Sequence, residues 1–236
     1  MDNSLNISKY TEQDLQRLEL EQLKNPEDAV QRVRMANIAI NAAVKSAGAE
    51  SEFGTLSLDA SSSNQSIRKL AGNFRTKREP YAQLSRLFAK AKDNGRNIDR
   101  DAITKAEVMI KEDLEKISLH EWETAKEALP NIRLISDNAI GIFTEMLDLF
   151  NLIKDPAQAE LRGITKREKP RLLIRISEKL KSMENDFPVM GLELHMLQTR
   201  QPEKDIIDRV LLLKKEGAKM MKFKAEFEKE YSKIQN

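Results

Sequence analysis

His120 and His195 are the only histidines in the chain, and there is no cysteine, so the side chains most often used for nucleophilic, redox or metal chemistry are nearly absent. A histidine that ligates a metal from a helix takes a second ligand three or four residues away. Neither histidine has another histidine at that spacing, and His195 has no carboxylate there either. No glycine-rich phosphate loop, G-x-S-x-G elbow or His/Asp pair occurs. The acids of 107–127 (Glu107, Glu112, Asp113, Glu115, Glu121, Glu123, Glu127) alternate with Lys105, Lys111, Lys116 and Lys126. Such interleaving describes a solvated helix face with ion pairs one turn apart, rather than two carboxylates set for acid–base work. The sequence therefore points away from an enzyme and calls for no cofactor and no metal.

Binding chemistry is better represented. Lysine and arginine total 40 against 38 acids, a net charge of only +2, but the charges are unevenly spread. Residues 68–96 hold nine bases against Glu79 and Asp93, with Phe74, Tyr81 and Phe88 among them. Cations interleaved with aromatic rings can neutralise phosphates and stack bases. Arg68, Lys69, Arg75, Lys77, Arg78, Tyr81, Arg86 and Lys90 are the candidates there. A second basic run supplies Lys166, Arg167, Lys169, Arg171 and Arg175. The competing reading is a solvated helix face that balances nearby acids. Phe74 and Phe88 fall at core spacing, which leaves Tyr81 as the aromatic most available to a base.

The strongest pattern closes the chain. From Ile206, apolar residues recur at intervals of four and three: Val210, Leu213, Met220, Phe227, Tyr231 and Ile234, with Gly217 and Lys224 completing the register. In heptad terms the d positions are all apolar and the a positions mixed. That spacing requires a long helix with one stripe buried, either on its own domain or against another subunit. The stripe is the candidate surface for self-association or a protein partner.

The elements that position these residues are all helical. Thr11 is placed to cap a helix carrying Leu15, Leu18 and Leu23, and Asn25-Pro26 ends it and starts the next, which reaches Gly48. Residues 48–66 lack a helical period and include Ser61-Ser62-Ser63. A helix around Ile67, Leu70 and Phe74 is expected to stop before Pro80, where another begins and runs to Asn94-Gly95. The next starts at Asp99, with Ser118 and Glu121 suggesting a break and restart before Pro130. Residues 131–153 are apolar on almost every side, as befits the centre of a bundle, flanked by 99–129 and 170–184. Asp155-Pro156 opens a short helix that Gly163 closes. Val189–Leu197 reads as helix, because Met190, Leu194 and Leu197 share a face.

The expected fold is all-α: an irregular multi-helix bundle with a long, heptad-patterned C-terminal helix. Its expected divisions are an N-terminal hairpin (1–47), a Ser-rich linker (48–66), a central body (67–201) and the C-terminal helix or arm (202–236). With no signal-like N-terminus and no uninterrupted apolar run, the expected location is intracellular, without a membrane span. The expected function is a non-enzymatic interaction or assembly protein, acting through self-association or partner capture. The alternative is a sequence-tolerant nucleic-acid binder using 68–96 and 166–181.

Overall fold

The computed structural model describes residues 12–46, 60–94, 98–165, 167–199 and 203–235. Among them there is no strand, and nine α-helices follow in order: α1 (Glu12–Lys24), α2 (Pro26–Ser46), α3 (Ala60–Asp93), α4 (Arg100–Ala125), α5 (Leu129–Lys154), α6 (Pro156–Leu161), α7 (Lys169–Ser182), α8 (Phe187–Gln198) and α9 (Lys204–Gln235). The protein is an all-α, multi-helix bundle. None of the described helices is long and apolar enough to cross a membrane.

Local chemistry explains most of the boundaries. Asp99 Oδ1 accepts the backbone N–H groups of Asp101 and Ala102 at 3.0 Å each and so caps α4. Asp155 does the same for α6, taking the N–H groups of Ala157 and Gln158 at 3.0 and 3.2 Å, with Pro156 in the first turn. Gly163 ends that helix at φ +71°, a conformation that carries a steric cost for any residue with a Cβ. The Gly163 and Ile164 N–H groups return to the carbonyls of Glu160 and Ala159.

Two expected breaks are absent. α3 runs unbroken through Pro80. Proline gives no N–H to the carbonyl four residues before it, that of Thr76; one residue further on, the carbonyl of Lys77 accepts the Asn37 side-chain amide at 3.1 Å. α4 likewise continues past Ser118, whose hydroxyl donates to the carbonyl of Leu114 in its own helix rather than capping a new one. The true interruption comes later, as a 3-10 turn at Lys126–Ala128, and Pro130 sits in the first turn of α5.

The helices form two compact units. The first comprises 1–55 and 76–121, the second 56–75 and 122–236, so the boundary falls inside α3 and again inside α4. It cuts across the divisions expected at 47, 66 and 201. Residues 60–66 of the expected linker are the first turns of α3, while 48–59 lie outside the described residues. In the first unit, the α1–α2 hairpin is part of the core. Leu23, Ala29 and Val30 share a core with Tyr81, Leu84, Phe88 and Ala91 of α3 and with Ile103, Ala106 and Ile110 of α4.

The second unit is built around α5, which packs against α6, α7, α8 and α9. Of the expected flanks, 170–184 stands beside α5 as α7, whereas 100–121 of α4 belongs to the other unit. Phe143, Met146, Phe150 and Ile153 of α5 meet Leu173 and Ile176 of α7, Met190 and Leu197 of α8, and Leu213, Phe223 and Phe227 of α9. At its centre Phe223 stands edge-on to Phe143 and Phe150, with ring centroids 5.4 and 5.3 Å apart. Phe227 stacks on Phe223 and Tyr231. Edge-to-face pairs of this kind add about 0.5–1.5 kcal/mol each beyond the area they bury.

Candidate interaction surface

The heptad stripe of α9 faces the core of its own unit. Leu213 and Phe227 are buried, and Ile206, Val210, Met220 and Tyr231 pack half-buried around them. The side chain of Ile234 lies outside the described side chains. The buried line is also rotated from the a/d register read in the sequence. It runs through Arg209, Leu213, Glu216, Phe223 and Phe227, which are d and g positions. Lys224, at an a position, is exposed beside Glu228.

Two charges at g conceal this face in the sequence, and both are accommodated by pairing. Arg209 donates from Nε and Nη2 to the two carboxylate oxygens of Glu193 at 2.8 and 2.9 Å, and from Nη1 to Asp137 at 2.5 Å. Burial pushes the Arg209 guanidinium down, but the hydrogen bonds and charge of Glu193 and Asp137 outweigh it and hold it above its ordinary value. Glu216 accepts Lys219 Nζ at 2.7 Å.

Turning that face inward leaves another outside. Ile207, Leu211, Lys214, Ala218, Met221 and Ala225 follow the same four–three spacing on the far side of α9, and all six are exposed. Ile207 is 45% exposed, Leu211 59% and Met221 79%, values that set them apart from the buried stripe. At 1.5 Å per residue the line is about 27 Å long. Lys214 lies within it, and Lys215, Lys219, Lys222 and Lys224 flank it between 207 and 225, against Asp208 and Glu216. The signal was present in the sequence, since Ile207 and Met221 occupy e positions where a two-stranded coil prefers charge.

The basic segments are split between internal pairs and the surface. Lys77 and Tyr81, expected as a phosphate ligand and a stacking ring, are both buried. Lys77 Nζ donates to Glu121 at 2.8 Å, and the Tyr81 hydroxyl to Asp113 Oδ2 at 2.9 Å. A cation held inside by a carboxylate, and a ring inside the core, cannot reach a nucleic acid, so these two assignments are corrected. Arg68 is half-buried and bonds Asp186 at 2.5 Å, Arg86 lies 3.8 Å from Glu79, and burial pushes the half-exposed Arg78 down. Phe74 and Phe88 are buried, as their spacing indicated. Lys69, Arg75, Lys90, Arg167, Arg171 and Arg175 are exposed and Lys169 half-exposed; Lys166 lies outside the described residues.

The first unit also carries an open groove of about 520 Å³, whose lining includes Arg34, Asn37, Ile38, Tyr81, Asp113 and Ile117. Three of its polar groups, Arg34, Tyr81 and Asp113, are bonded to one another. Asp113 Oδ2 accepts Arg34 Nε at 2.6 Å as well as Tyr81, and burial followed by the Asp113 bond pushes the Tyr81 phenol up to about 12. Buried Asn37 Oδ1 and Glu121 Oε2 have no hydrogen-bond partner among the described residues.

Among the described residues, no group of three or more His, Cys, Asp or Glu converges as metal ligands would. Glu123, one turn after His120, pairs with Lys126 at 2.8 Å. The His195 ring lies 5.0 Å from that of Phe74. Set against family models, curated proteins and solved structures, the chain matches none.

Proposed function

We propose that this is a non-enzymatic helical interaction and assembly protein that associates through the outer face of α9, with copies of itself as the first partner to test. One observation carries the reading. α9 satisfies its own core with one stripe and leaves a second stripe of heptad spacing, headed by Leu211 and Met221, in solvent. Scattered exposed apolar residues are ordinary; a line of them with helix-pairing periodicity on a long helix is a packing surface. The partners of Asp113, Glu193, Lys77 and Tyr81 agree with this, because each of these groups is hydrogen-bonded to another side chain of its own unit.

The nucleic-acid reading ranks second. It retains exposed cations such as Arg75, Lys90, Arg167, Arg171 and Arg175, but none of Phe74, Tyr81 and Phe88 is left to stack on a base. Binding of that kind would fall steeply with salt and weaken when Arg171 and Arg175 are neutralised.

The test of the leading reading is light scattering across a concentration series. The wild type is expected to exceed the 27.0 kDa of one chain as concentration rises. Leu211→Glu with Met221→Glu should remain at one chain's mass with unchanged helix content, because both side chains already stand in water. A wild type that stays at one chain's mass throughout, or an assembly indifferent to the double variant, refutes the reading.

A further inference from the structure

The order of residues along the outer line of α9 restricts what can cover it. Extended by one position at each end, the line runs Lys204, Ile207, Leu211, Lys214, Ala218, Met221, Ala225 and Glu228, all exposed and all at four–three spacing. At 1.5 Å per residue it is about 36 Å long. Turned end for end about the level of Glu216, the line falls on itself. Leu211 then meets Met221, Ile207 meets Ala225, Lys214 meets Ala218 and Lys204 meets Glu228. The two bulkiest exposed residues cover each other, and the charges at the ends are opposite. Lying over an alanine, Lys214 covers apolar surface with its methylenes and keeps its ammonium in water. Sliding the pairing by one heptad sets Leu211 against Glu228 in one direction and against Lys214 in the other. Parallel pairing sets Lys204 against Lys204 and Lys214 against Lys214.

We infer that the outer face of α9 takes the same face of a second copy of this chain, antiparallel and centred at the level of Glu216. The inference rests on the assembly reading above and adds to it the partner surface, its direction and its register. The flanks agree with this pairing. In antiparallel heptad packing, one flank brings Asp208 of each copy beside Lys222 of the other, while the opposite flank brings Lys224 beside Val210. Within one chain Asp208 and Lys222 stand about 21 Å apart along the helix, more than two Debye lengths at physiological salt, so only a second copy joins them. Arg209 and Glu216 are buried and bonded within their own chain, and Lys219 is bonded to Glu216. The like-charged meeting on these flanks is Lys215 with Lys215 near the axis, where both side chains are exposed and salt screens them. A face that pairs with itself is isologous and closes at two chains. One helix face on another is at the low end of specific interfaces, so the dimer separates on dilution.

The test is a charge exchange read as the dimer dissociation constant by sedimentation equilibrium. The wild type is expected to level off at the mass of two 27.0 kDa chains. Asp208→Lys brings like charges together on one flank, twice in the dimer, and should weaken dimerisation by roughly tenfold. Adding Lys222→Asp to the same chain makes the flank complementary again and should return the constant close to that of the wild type. Adding Lys224→Asp instead makes the same change of net charge on the opposite flank and should restore little. All three positions are exposed, and circular dichroism checks that helix content is unchanged. An unaffected Asp208→Lys variant, rescue by both second substitutions alike or by neither, or a wild type that grows beyond two chains overturns the antiparallel pairing. In those cases the assembly reading stands wherever Leu211→Glu with Met221→Glu still separates the chains. A wild type that never associates removes both.

Discussion

Replacing Arg209 with methionine should be among the most damaging single substitutions in the second unit. Methionine fills similar space but cannot donate, so Glu193 loses both hydrogen bonds to the guanidinium, at 2.8 and 2.9 Å, while remaining only 1% exposed. Breaking a buried pair from one side costs about 3–5 kcal/mol, chiefly because the remaining charge stays buried without compensation. The Asp137 contact adds little, since the Asp137 side chain is 52% exposed and water takes over its solvation. For a chain of this size each kcal/mol moves the unfolding midpoint by about 2–4 °C, so the total is roughly 6–20 °C. The assay is thermal and urea unfolding followed by the fluorescence of Trp122, the only tryptophan and a residue of the second unit. Changing both partners, Arg209→Met with Glu193→Gln, should recover more than half of the loss, because no net charge then remains inside. A single variant that shifts the midpoint by less than about 2 °C, or a double variant whose losses simply add, would refute the claim that the unpaired carboxylate is the source of the cost.

Three further predictions follow from other positions. Gly217 lies inside α9 with open space where a Cβ would stand, so Gly217→Ala should raise stability by about 1 kcal/mol in the same unfolding assay. The Tyr81 phenol is raised to about 12, so its contribution is fully present below about pH 10, the ordinary phenol value, and is lost as pH climbs from about 10 through about 12. Stability of the wild type should fall across that window by up to roughly 3 kcal/mol more than that of Tyr81→Phe, as measured by urea midpoints at each pH. Asp113→Asn removes the charged acceptor of Arg34 and should cost about 1.5–3 kcal/mol. It should also bring the alkaline titration of Tyr81, followed by phenolate absorbance, to lower pH.

Much of the fold is legible because helix periodicity and capping are local. Asp99, Asp155-Pro156 and Gly163 mark their boundaries through side chains and backbone within three residues of themselves. Pro80 and Ser118 mislead because the deciding partner is elsewhere or ambiguous. Pro80 is carried in a helix that packing holds together, with Tyr81, Leu84 and Phe88 just beyond it in the core of the first unit, and Ser118 has a carbonyl available in its own helix. The candidate surface was misjudged for a related reason. An arginine at position 209 looks like an outward-facing residue until Glu193 and Asp137 are seen to meet it, and only then does the buried seam shift to include Phe223. Lys77 and Tyr81 were hidden in the same way, since nothing in their own helix discloses Glu121 and Asp113 across from them. Tertiary pairing, invisible to periodicity, decided the cases of Arg209, Lys77 and Tyr81.

The aromatic cluster of the second unit also sets an order of events during synthesis. Phe143 and Phe150 leave the ribosome well before Phe223 and Phe227, with about 75 residues between the two pairs. At elongation rates of about 5–20 residues per second, α5 waits roughly 4–15 s for the rings that will cover it. During that interval its Phe143 and Phe150 face is open to chaperones, to other nascent chains, or to any passing apolar helix. The α1–α2 hairpin and its partners in the first unit, complete by residue 121, are by then free to fold. Any slowing of translation between α5 and α9 should therefore raise aggregation of the second unit selectively, and supplying a synthetic α9 peptide in trans should relieve it.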